Sequence, residues 1–217
     1  MKSEIIKSVA VIVAHPDDET LWAGGTILSL PSWNWFIVCL CRRNDADRAP
    51  KFHKVLKILN AEGIMGDLDD GPDQKPLSEK EVENAILDLL PATHFDLVIS
   101  HNPTGEYTQH LRHRETSKAV ITLWQEGKIS TDELWTFAYE DGNKKYFPKP
   151  LKTAPLYRML PEEIWLKKYD LITNKFGYEK KSWEAETTPR GEAFWKFTNS
   201  EAAKRWLDSG GVVASNR

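Results

Sequence analysis

The chain of 217 residues carries 29 basic and 32 acidic side chains, and 41% of its residues are hydrophobic. Its formal net charge of −3, with no basic stripe, argues against a nucleic-acid-binding protein. Apolar and aromatic residues occur along the whole chain, which argues against disorder. No apolar stretch approaches the ~20 residues that span a bilayer, and the first residues lack the layout of a secretory signal. We therefore expect a cytoplasmic protein with neither a nucleic acid nor a membrane as partner.

The first third of the chain alternates between predicted strands and helices. Residues 8–14 are apolar and rich in β-branched side chains, which is typical of a strand buried on both faces. A helix is predicted over 18–30, and a second apolar strand over 35–41. The next helix is predicted to begin near Asp47, as its N-cap, and to be closed by Gly63.

The middle of the chain continues this alternation. A short third strand is predicted around 64–68, followed by a turn-rich segment at 69–76. Ser78 precedes Glu81 by three residues, which is the signature of a capping box at the start of another helix. Later elements are predicted as a strand at 95–100, a helix at 111–126, a strand at 134–139, and helices at 161–174 and 200–208.

This rhythm of strand and helix indicates parallel strands joined by crossover helices. The fold class expected is therefore α/β, with a Rossmann-like, doubly wound, mostly parallel sheet flanked by helices. The patterns become less regular in the C-terminal portion. Because the sequence has no repeat, no low-complexity linker and no break in composition, we expect residues 1–217 to form a single domain.

Two polar clusters follow predicted strands directly. Residues 15–19 come after the first strand, and residues 101–113 come after the fourth. In doubly wound sheets, ligands bind outside the carboxyl ends of the strands. Four of the 6 histidines lie in these clusters, together with several carboxylates. Imidazole and carboxylate ligands from separate turns are the ligand set of a catalytic zinc with an open position.

Simpler interpretations exist for each cluster. Asp17 or Asp18 could cap the helix that begins there, since Asp is a preferred N-cap residue. Capping does not account for His15 at the end of a buried strand. A single histidine is more often a hydrogen-bonded structural residue than a ligand, but four histidines in two strand-end loops favour a metal.

Residues 14–19, Ala-His-Pro-Asp-Asp-Glu after an apolar strand, resemble the signature of the PIG-L/LmbE-like de-N-acetylases. Members of this family are zinc hydrolases that remove acetyl groups from N-acetylglucosamine-type sugars. Their second motif, His-x-x-His, is similar to residues 110–113, which Gly-Glu-Tyr at 105–107 precedes. The resemblance covers about residues 8–120 and, beyond them, little more than residues 192–195.

The resemblance implies roles for five residues of these motifs. His15, Asp18 and His113 match the zinc ligands, although such a set would also accept iron or cobalt. Asp17 matches the catalytic carboxylate, and the choice between the two adjacent aspartates comes from the resemblance alone. His110 matches a second catalytic histidine.

Three further residues are expected to contact the substrate. Glu106 and Tyr107 precede the second motif, and Arg48 lies where the family often has a substrate-contacting arginine. For Arg48, a solvated charge on the first helical turn is an equal alternative. Trp135, Trp183 and Trp195 could stack on a sugar, but such residues are more often core or subunit contacts.

The sequence departs from the family between the two histidines. The family commonly has Pro-Asp there, and this chain has Leu111-Arg112. The missing aspartate would orient the imidazole of His110, whereas Arg112 beside a zinc site would disfavour an imidazolium. Either an acid such as Glu106 or Glu115 supports His110, or His110 contributes less in this chain.

Together these features predict a zinc-dependent hydrolase that removes an acetyl group from an N-acetylated amino sugar or its conjugate. One alternative is an amidase acting on another N-acyl group, such as that of a thiol conjugate. The other is a non-catalytic relative that binds a sugar or a partner protein. The tryptophan-rich C-terminal elements are compatible with a homo-oligomer.

Overall fold

The computed structural model describes residues 6–108 and 110–211. Seven strands form one mixed sheet with helices on both faces. In chain order the elements are β1 (Ser8–Val13), α1 (Asp18–Ser29), β2 (Asn34–Cys41), α2 (Arg48–Leu59), β3 (Ala61–Leu68), α3 (Glu79–Leu89), β4 (His94–Phe95), β5 (Leu97–Ser100), α4 (Leu111–Gln125), β6 (Ser130–Thr131), β7 (Leu134–Phe137), β8 (Tyr139–Glu140), β9 (Lys149–Pro150), β10 (Leu156–Met159), α5 (Glu162–Asp170), α6 (Trp183–Thr187), β11 (Gly191–Phe197) and α7 (Ser200–Asp208).

The order of the strands in the large sheet is β10-β11-β7-β5-β1-β2-β3. The five strands β7, β5, β1, β2 and β3 are parallel to one another. At one edge of the sheet, β11 pairs antiparallel with β7 on one side and with β10 on the other. The short strands β4 and β6 form one separate ribbon, and β8 and β9 form another. The predicted α/β fold with a mostly parallel sheet is thus confirmed.

Strand β1 lies near the centre of the sheet and is buried on both faces. Val9, Val11 and Val13 pack into one core cluster, together with apolar residues of α1 and α2. Ala10 and Ile12 face the opposite cluster, where α3 and α4 contribute their apolar stripes. This double burial is the reason why the sequence of β1 is apolar without alternation.

The C-terminal boundary of α2 differs from the prediction. Asn60, in the left-handed conformation (φ 53°), ends the helix, whereas Gly63 lies inside β3. A Cβ at Gly63 would lie 2.4 Å from a main-chain oxygen of β2, so close strand approach requires this glycine. At the other end of the helix, Asp47 is the N-cap residue as predicted, but its side chain makes no capping hydrogen bond. The Asp45 side chain instead accepts the amide hydrogens of Asp47 (2.9 Å) and Arg48 (2.8 Å). By contrast, Ser78 caps α3 as predicted.

Other predicted elements are divided in the structure. The segment predicted as one strand at 95–100 supplies β4 and β5, and the segment at 134–139 supplies β7 and β8. The predicted helix at 161–174 becomes α5 and a π-helical turn over 171–175. The sequence pattern located these elements. The two predicted strands are divided because β5 and β7 pair in the large sheet, whereas β4 and β8 pair in the small ribbons.

The C-terminal portion contributes β10 and β11, which the sequence analysis did not predict. Glu192 of β11 is fully buried and forms an ion pair with buried Lys168 (2.8 Å). It also accepts the amide hydrogens of Gly25 and Thr26 in α1 (2.7 Å each). A charge on a buried face interrupts the alternation by which a strand is recognised. α1 packs closely at Gly25, where a Cβ would lie 2.4 Å from Leu160.

The topology brings the two polar clusters together. β1 and β5 are adjacent and parallel, so the turns that leave their carboxyl ends emerge at the same edge of the sheet. The turn after β1 leads into α1, and the longer loop after β5 leads into α4. Within the described ranges, no helix combines the length and the apolar character needed to cross a membrane.

Candidate metal centre and active site

Three side-chain atoms from these turns form a nearly equilateral triangle. His15 Nδ1, Asp18 Oδ2 and His113 Nε2 lie 3.2 Å from one another in each pair. A tetrahedral zinc with bonds of about 2.0–2.1 Å separates its ligands by roughly 3.3 Å. Two imidazole nitrogens and one carboxylate oxygen at this spacing therefore fit a divalent cation that keeps a coordination position for solvent.

Two more histidines, His110 and His101, lie close to the three atoms of this triangle. Ligand atoms of His110 and of His101 lie within 4.8 Å of those of His113. The Nε2 atom of His101, however, accepts the amide hydrogen of Ala14 (3.0 Å) and is thereby occupied. This hydrogen bond joins the residue after β5 to the residue after β1, next to the triangle.

The turn between β1 and α1 has an unusual backbone that presents its side chains. Asp17 has φ 129°, in a region that favours glycine, and such conformations cost on the order of 1–3 kcal/mol. The Asp17 amide donates to Glu19 Oε2 (3.1 Å), and Glu19 is fully buried. Burial raises the pKa of Glu19 to about 8, aided by the charges of Asp17 and Asp18. The last acid of the motif thus supports the strained turn.

Each imidazole of the triangle is held by a carboxylate on its other nitrogen. Glu106 Oε2 lies 2.5 Å from His113 Nδ1 and 2.9 Å from His101 Nδ1. Asp70 Oδ1 lies 3.2 Å from His15 Nε2. A carboxylate at one ring nitrogen fixes the proton there and leaves the lone pair of the other nitrogen for a cation. Glu106 is fully buried and does not line the cavity. Its position therefore does not support the predicted contact with the substrate.

The two aspartates of the motif have different partners. Asp18 Oδ1 accepts the indole hydrogen of Trp22 (3.0 Å), and neither aspartate side chain caps α1 within the described residues. Asp17 thus occupies the N-cap position of α1, as the simpler interpretation has it, but its side chain makes no capping hydrogen bond. Asp17 Oδ2 accepts hydrogen bonds from Arg48 Nη1 (2.9 Å) and from the hydroxyl of Tyr178. Burial and the charge of Asp18 raise the pKa of Asp17 to about 6, against the opposing effects of Tyr178 and Arg48.

The triangle lies beside a cavity of about 610 Å³. Of the predicted site residues, His15, Asp17, Asp18, Arg48, Tyr107 and His110 line it. Arg48 is paired with Asp17 and one-third exposed, so it is not a freely solvated charge. Trp183 contributes an aromatic wall, with its ring 4.6 Å from that of Tyr107. Trp135 and Trp195 pack against the core clusters instead.

His110 lies at the edge of the cavity without a carboxylate partner. Its ring is 4.4 Å from that of His113, and its buried Nδ1 has no hydrogen-bond partner among the described residues. Burial and the neighbouring imidazoles of His113 and His15 lower its pKa to about 3, so the ring is neutral at pH 7.

The residues expected to influence His110 point elsewhere. Glu106 contacts His101 and His113, and Glu115 accepts hydrogen bonds from Arg112 (2.6 Å) and the amide of Leu77 (2.9 Å). The Arg112 guanidinium also contacts main-chain oxygens of the segment at 69–75. The predicted influence of Arg112 on a site imidazole is therefore corrected: its guanidinium is bound by Glu115 and by main-chain oxygens of Asp69 and Lys75.

Sequence reasoning missed two residues of the site. Asp70 follows β3, so the rule that ligands gather at strand carboxyl ends could have identified it, but its Asp-Asp-Gly-Pro context was interpreted only as a turn. Tyr178 comes from the segment after the π-helical turn, 161 residues along the chain from Asp17. No local sequence signal marks Tyr178.

Comparison with known sequences gives a family match. The model of the PIG-L family, described as GlcNAc-PI de-N-acetylase, matches residues 10–124. The uncharacterized protein L374 of Acanthamoeba polyphaga mimivirus is 23% identical over an alignment of 179 residues, and the alignment covers 76% of this chain and 76% of that protein.

Comparison with solved structures gives the same fold with different activities. N,N'-diacetylchitobiose deacetylase from Pyrococcus horikoshii has a TM-score of 0.65 and 18% identity, covering 88% of this chain and 84% of that one. A zinc-inhibited form of teicoplanin deacetylase Orf2 has a TM-score of 0.61 and 14% identity, covering 87% and 97%. GalB, a 4-carboxy-2-hydroxymuconate hydratase from Pseudomonas putida KT2440, has a TM-score of 0.57 and 17% identity, covering 97% and 92%. Because the fold serves deacetylases and a hydratase, the reaction must be argued from the site.

Proposed function

Because the chain belongs to the PIG-L family of GlcNAc-PI de-N-acetylases, we propose that it is a metal-dependent N-deacetylase. Its substrate would be an N-acetylated amino sugar or a conjugate of one. The observation that carries this proposal is the triangle of His15, Asp18 and His113 donor atoms, each pair 3.2 Å apart, beside a cavity that Asp17 also lines.

The three residues of the triangle would hold zinc or another divalent ion. Such an ion supplies Lewis acidity toward water and toward an amide carbonyl. Glu106 and Asp70 would keep the two imidazoles in the tautomer that presents a lone pair to it. For Glu106 this orienting role replaces substrate contact, because the residue is buried behind His113.

Asp17 would act as the general base and then as the general acid. Its carboxylate accepts a proton from the attacking water and returns it to the nitrogen of the leaving amine. Arg48 and Tyr178 hold Oδ2 in place, and this fixed position favours proton transfer at a defined point of the cavity. The neutral imidazole of His110 can donate one N–H to the carbonyl oxygen as negative charge develops on it.

The aromatic wall suits a sugar ring. The rings of Tyr107 and Trp183 line the cavity together, and aromatic faces pack well against the apolar faces of sugars. A volume of about 610 Å³ accommodates a sugar with part of an attached group.

The proposal is tested by measuring zinc content and acetate release on the same preparation. We expect about one zinc per chain and acetate release from at least one of a panel of N-acetyl amino sugars and their glycosides. Release only from N-acyl compounds that are not sugars would support the amidase alternative. A zinc-loaded protein that releases acetate from no compound would support the non-catalytic alternative, and a protein without zinc affinity would contradict both the metal site and the reaction.

A further inference from the structure

The segment between β3 and α3 is held by one buried arginine. Arg112 of α4 is 1% exposed, although arginine is rarely buried without defined partners. Its Nε donates to the main-chain oxygen of Asp69 (2.6 Å), and its Nη2 donates to that of Lys75 (2.8 Å). One planar guanidinium therefore connects both ends of the segment at 69–75, which contains no helix or strand.

A second side chain of α4 completes this attachment. One carboxylate oxygen of Glu115 accepts a hydrogen bond from Arg112 Nη1 (2.6 Å), and the other accepts one from the amide of Leu77 (2.9 Å). Arg112 and Glu115 flank His113 on α4, one residue before it and two residues after it. The helix that supplies His113 to the triangle thus also fixes the position of the segment at 69–75.

That segment contacts the triangle through Asp70. The Asp70 side chain is 7% exposed and lies 3.2 Å from His15 Nε2. Arg42 donates to its other oxygen through Nε (2.8 Å) and Nη2 (2.6 Å). Asp69, whose carbonyl Arg112 binds, immediately precedes Asp70, so the Arg112 contact restricts where the Asp70 carboxylate can lie.

We propose that Arg112 is a positioning residue of the metal centre. It fixes the segment at 69–75 so that Asp70 retains the Nε2 proton of His15 and His15 presents Nδ1 to the cation. Without Arg112 the segment gains conformational freedom, and ordering it again opposes metal binding. This inference rests on the proposed function only in requiring that the triangle binds a metal.

The test measures the dissociation constant for zinc, by competition with a chelating indicator, in four variants and the wild type. Removing an outer partner of a metal-bound histidine typically weakens affinity by about 10–100-fold. We expect Asp70→Ala to fall in that range and Arg112→Met to weaken zinc binding about 10-fold. If Arg112 acts through Asp70, the double variant binds zinc no more weakly than Asp70→Ala alone. Arg114→Met, which removes an exposed arginine from the same helix, should bind zinc as the wild type does.

Thermal unfolding of each variant separates loss of the fold from loss of positioning. If Arg112→Met does not fold, Arg112→Lys replaces it, because lysine keeps the charge but cannot bind both carbonyls in the same geometry. Wild-type zinc affinity in the folded Arg112 variant, or losses that multiply in the double variant, would overturn the inference while leaving the proposed function intact. A wild-type protein that does not bind zinc would overturn both.

Discussion

Adjacent aspartates at 17 and 18 have opposite surroundings, and this is the main chemical asymmetry of the site. Burial raises the pKa of Asp18, but His113 and His101 hold it well below its ordinary value. Asp17 instead faces Arg48 and Tyr178. The sequence indicates that both carboxylates lie at a strand end, but it contains no information on which way each side chain points. The backbone at φ 129° determines that direction.

Replacing Asp17 by asparagine separates catalysis from metal binding. Asp17→Asn keeps the shape and removes the base, so we expect turnover to fall by about 10²–10⁴-fold. Zinc content should stay at the wild-type value, because Asp17 Oδ2 faces Arg48 and Tyr178. Elemental analysis and acetate release on one preparation measure both quantities. Asp18→Asn and His113→Ala are the matched controls and should lose zinc; an active Asp17→Asn protein would remove Asp17 as the base.

Tyr178 offers a test of how the C-terminal portion contributes to the reaction. In Tyr178→Phe, Asp17 loses one of its two donors, and we expect kcat to fall about 10- to 100-fold, because one hydrogen bond to a charged group is worth about 1.5–3 kcal/mol. Zinc affinity should not change. Tyr169→Phe, at a tyrosine outside the cavity lining, is the control and should have the wild-type kcat. Equal kcat in both variants would show that the hydroxyl of Tyr178 has no role in positioning Asp17.

At the scale of elements, the sequence predicted most of the parallel strands and helices, because buried β-branched runs and amphipathic stripes are local patterns. It failed where a distant partner sets the structure. Strand β11 was missed because its buried Glu192 is accommodated by distant partners, which are Lys168 and the amide and hydroxyl donors of α1. The end of α2 was misplaced because Asn60 can adopt the left-handed conformation that glycine usually provides.

The glycine pair in α1 provides a matched test of packing. At Gly25 a Cβ would lie 2.4 Å from Leu160, whereas at Gly24 the nearest atom would be 3.4 Å away, an ordinary contact. We expect Gly25→Ala to destabilise the fold by about 1–3 kcal/mol through overpacking. Gly24→Ala should be neutral or stabilising by up to about 1 kcal/mol, because alanine favours a helix. Denaturant unfolding measures both, and equal stabilities of the two variants would contradict the packing of α1 described above.

The loop between β5 and α4 is hydrogen-bonded to a carboxylate, that of Asp141, whose protonation depends on pH. Asp141 accepts the amide hydrogen of Thr108 (2.7 Å) and its hydroxyl hydrogen. Burial raises the pKa of Asp141, but these hydrogen bonds and those from Asn143 and Lys144 outweigh it and lower the pKa below 3.8. A carboxyl group with a lowered folded-state pKa stabilises the fold above its unfolded-state pKa, and the contribution is lost as pH falls through the folded-state value.

The pH dependence of an Asp141 variant follows from this sign. We expect Asp141→Asn to be less stable than the wild type at pH 7, by a few tenths of a kcal/mol to about 1 kcal/mol, since the carboxyl group is only partly buried. The difference should be smaller at about pH 3 than at pH 7, because the unfolded wild-type chain takes up a proton at this group once the pH falls below its ordinary pKa. Urea unfolding at both pH values measures the difference. A deficit that is the same at both pH values would show that the charge of Asp141 does not stabilise the loop.

At the scale of the whole molecule, the triangle and the cavity wall draw on three distant parts of the chain, besides Arg48 of α2 and Asp70 after β3. The turn after β1 supplies His15 and Asp18, the start of α4 supplies His113, and the C-terminal portion adds Tyr178 and Trp183 to the cavity wall. The first two parts lie inside the segment that the family model matches, residues 10–124, and the third lies outside it. The two motifs at 14–19 and 110–113 could be predicted from the sequence, because each lies within a single turn of the chain. Contacts such as that of Tyr178 with Asp17 exist only after the C-terminal portion has packed against the sheet.

The central claim is that one divalent cation is bound by His15, Asp18 and His113. Anomalous X-ray diffraction at the zinc absorption edge, on crystals of the zinc-loaded protein, tests it most directly. We expect one strong peak about 2.0–2.2 Å from His15 Nδ1, Asp18 Oδ2 and His113 Nε2. A peak bound by other residues, or a fully zinc-treated crystal with no peak at this triangle, would contradict it.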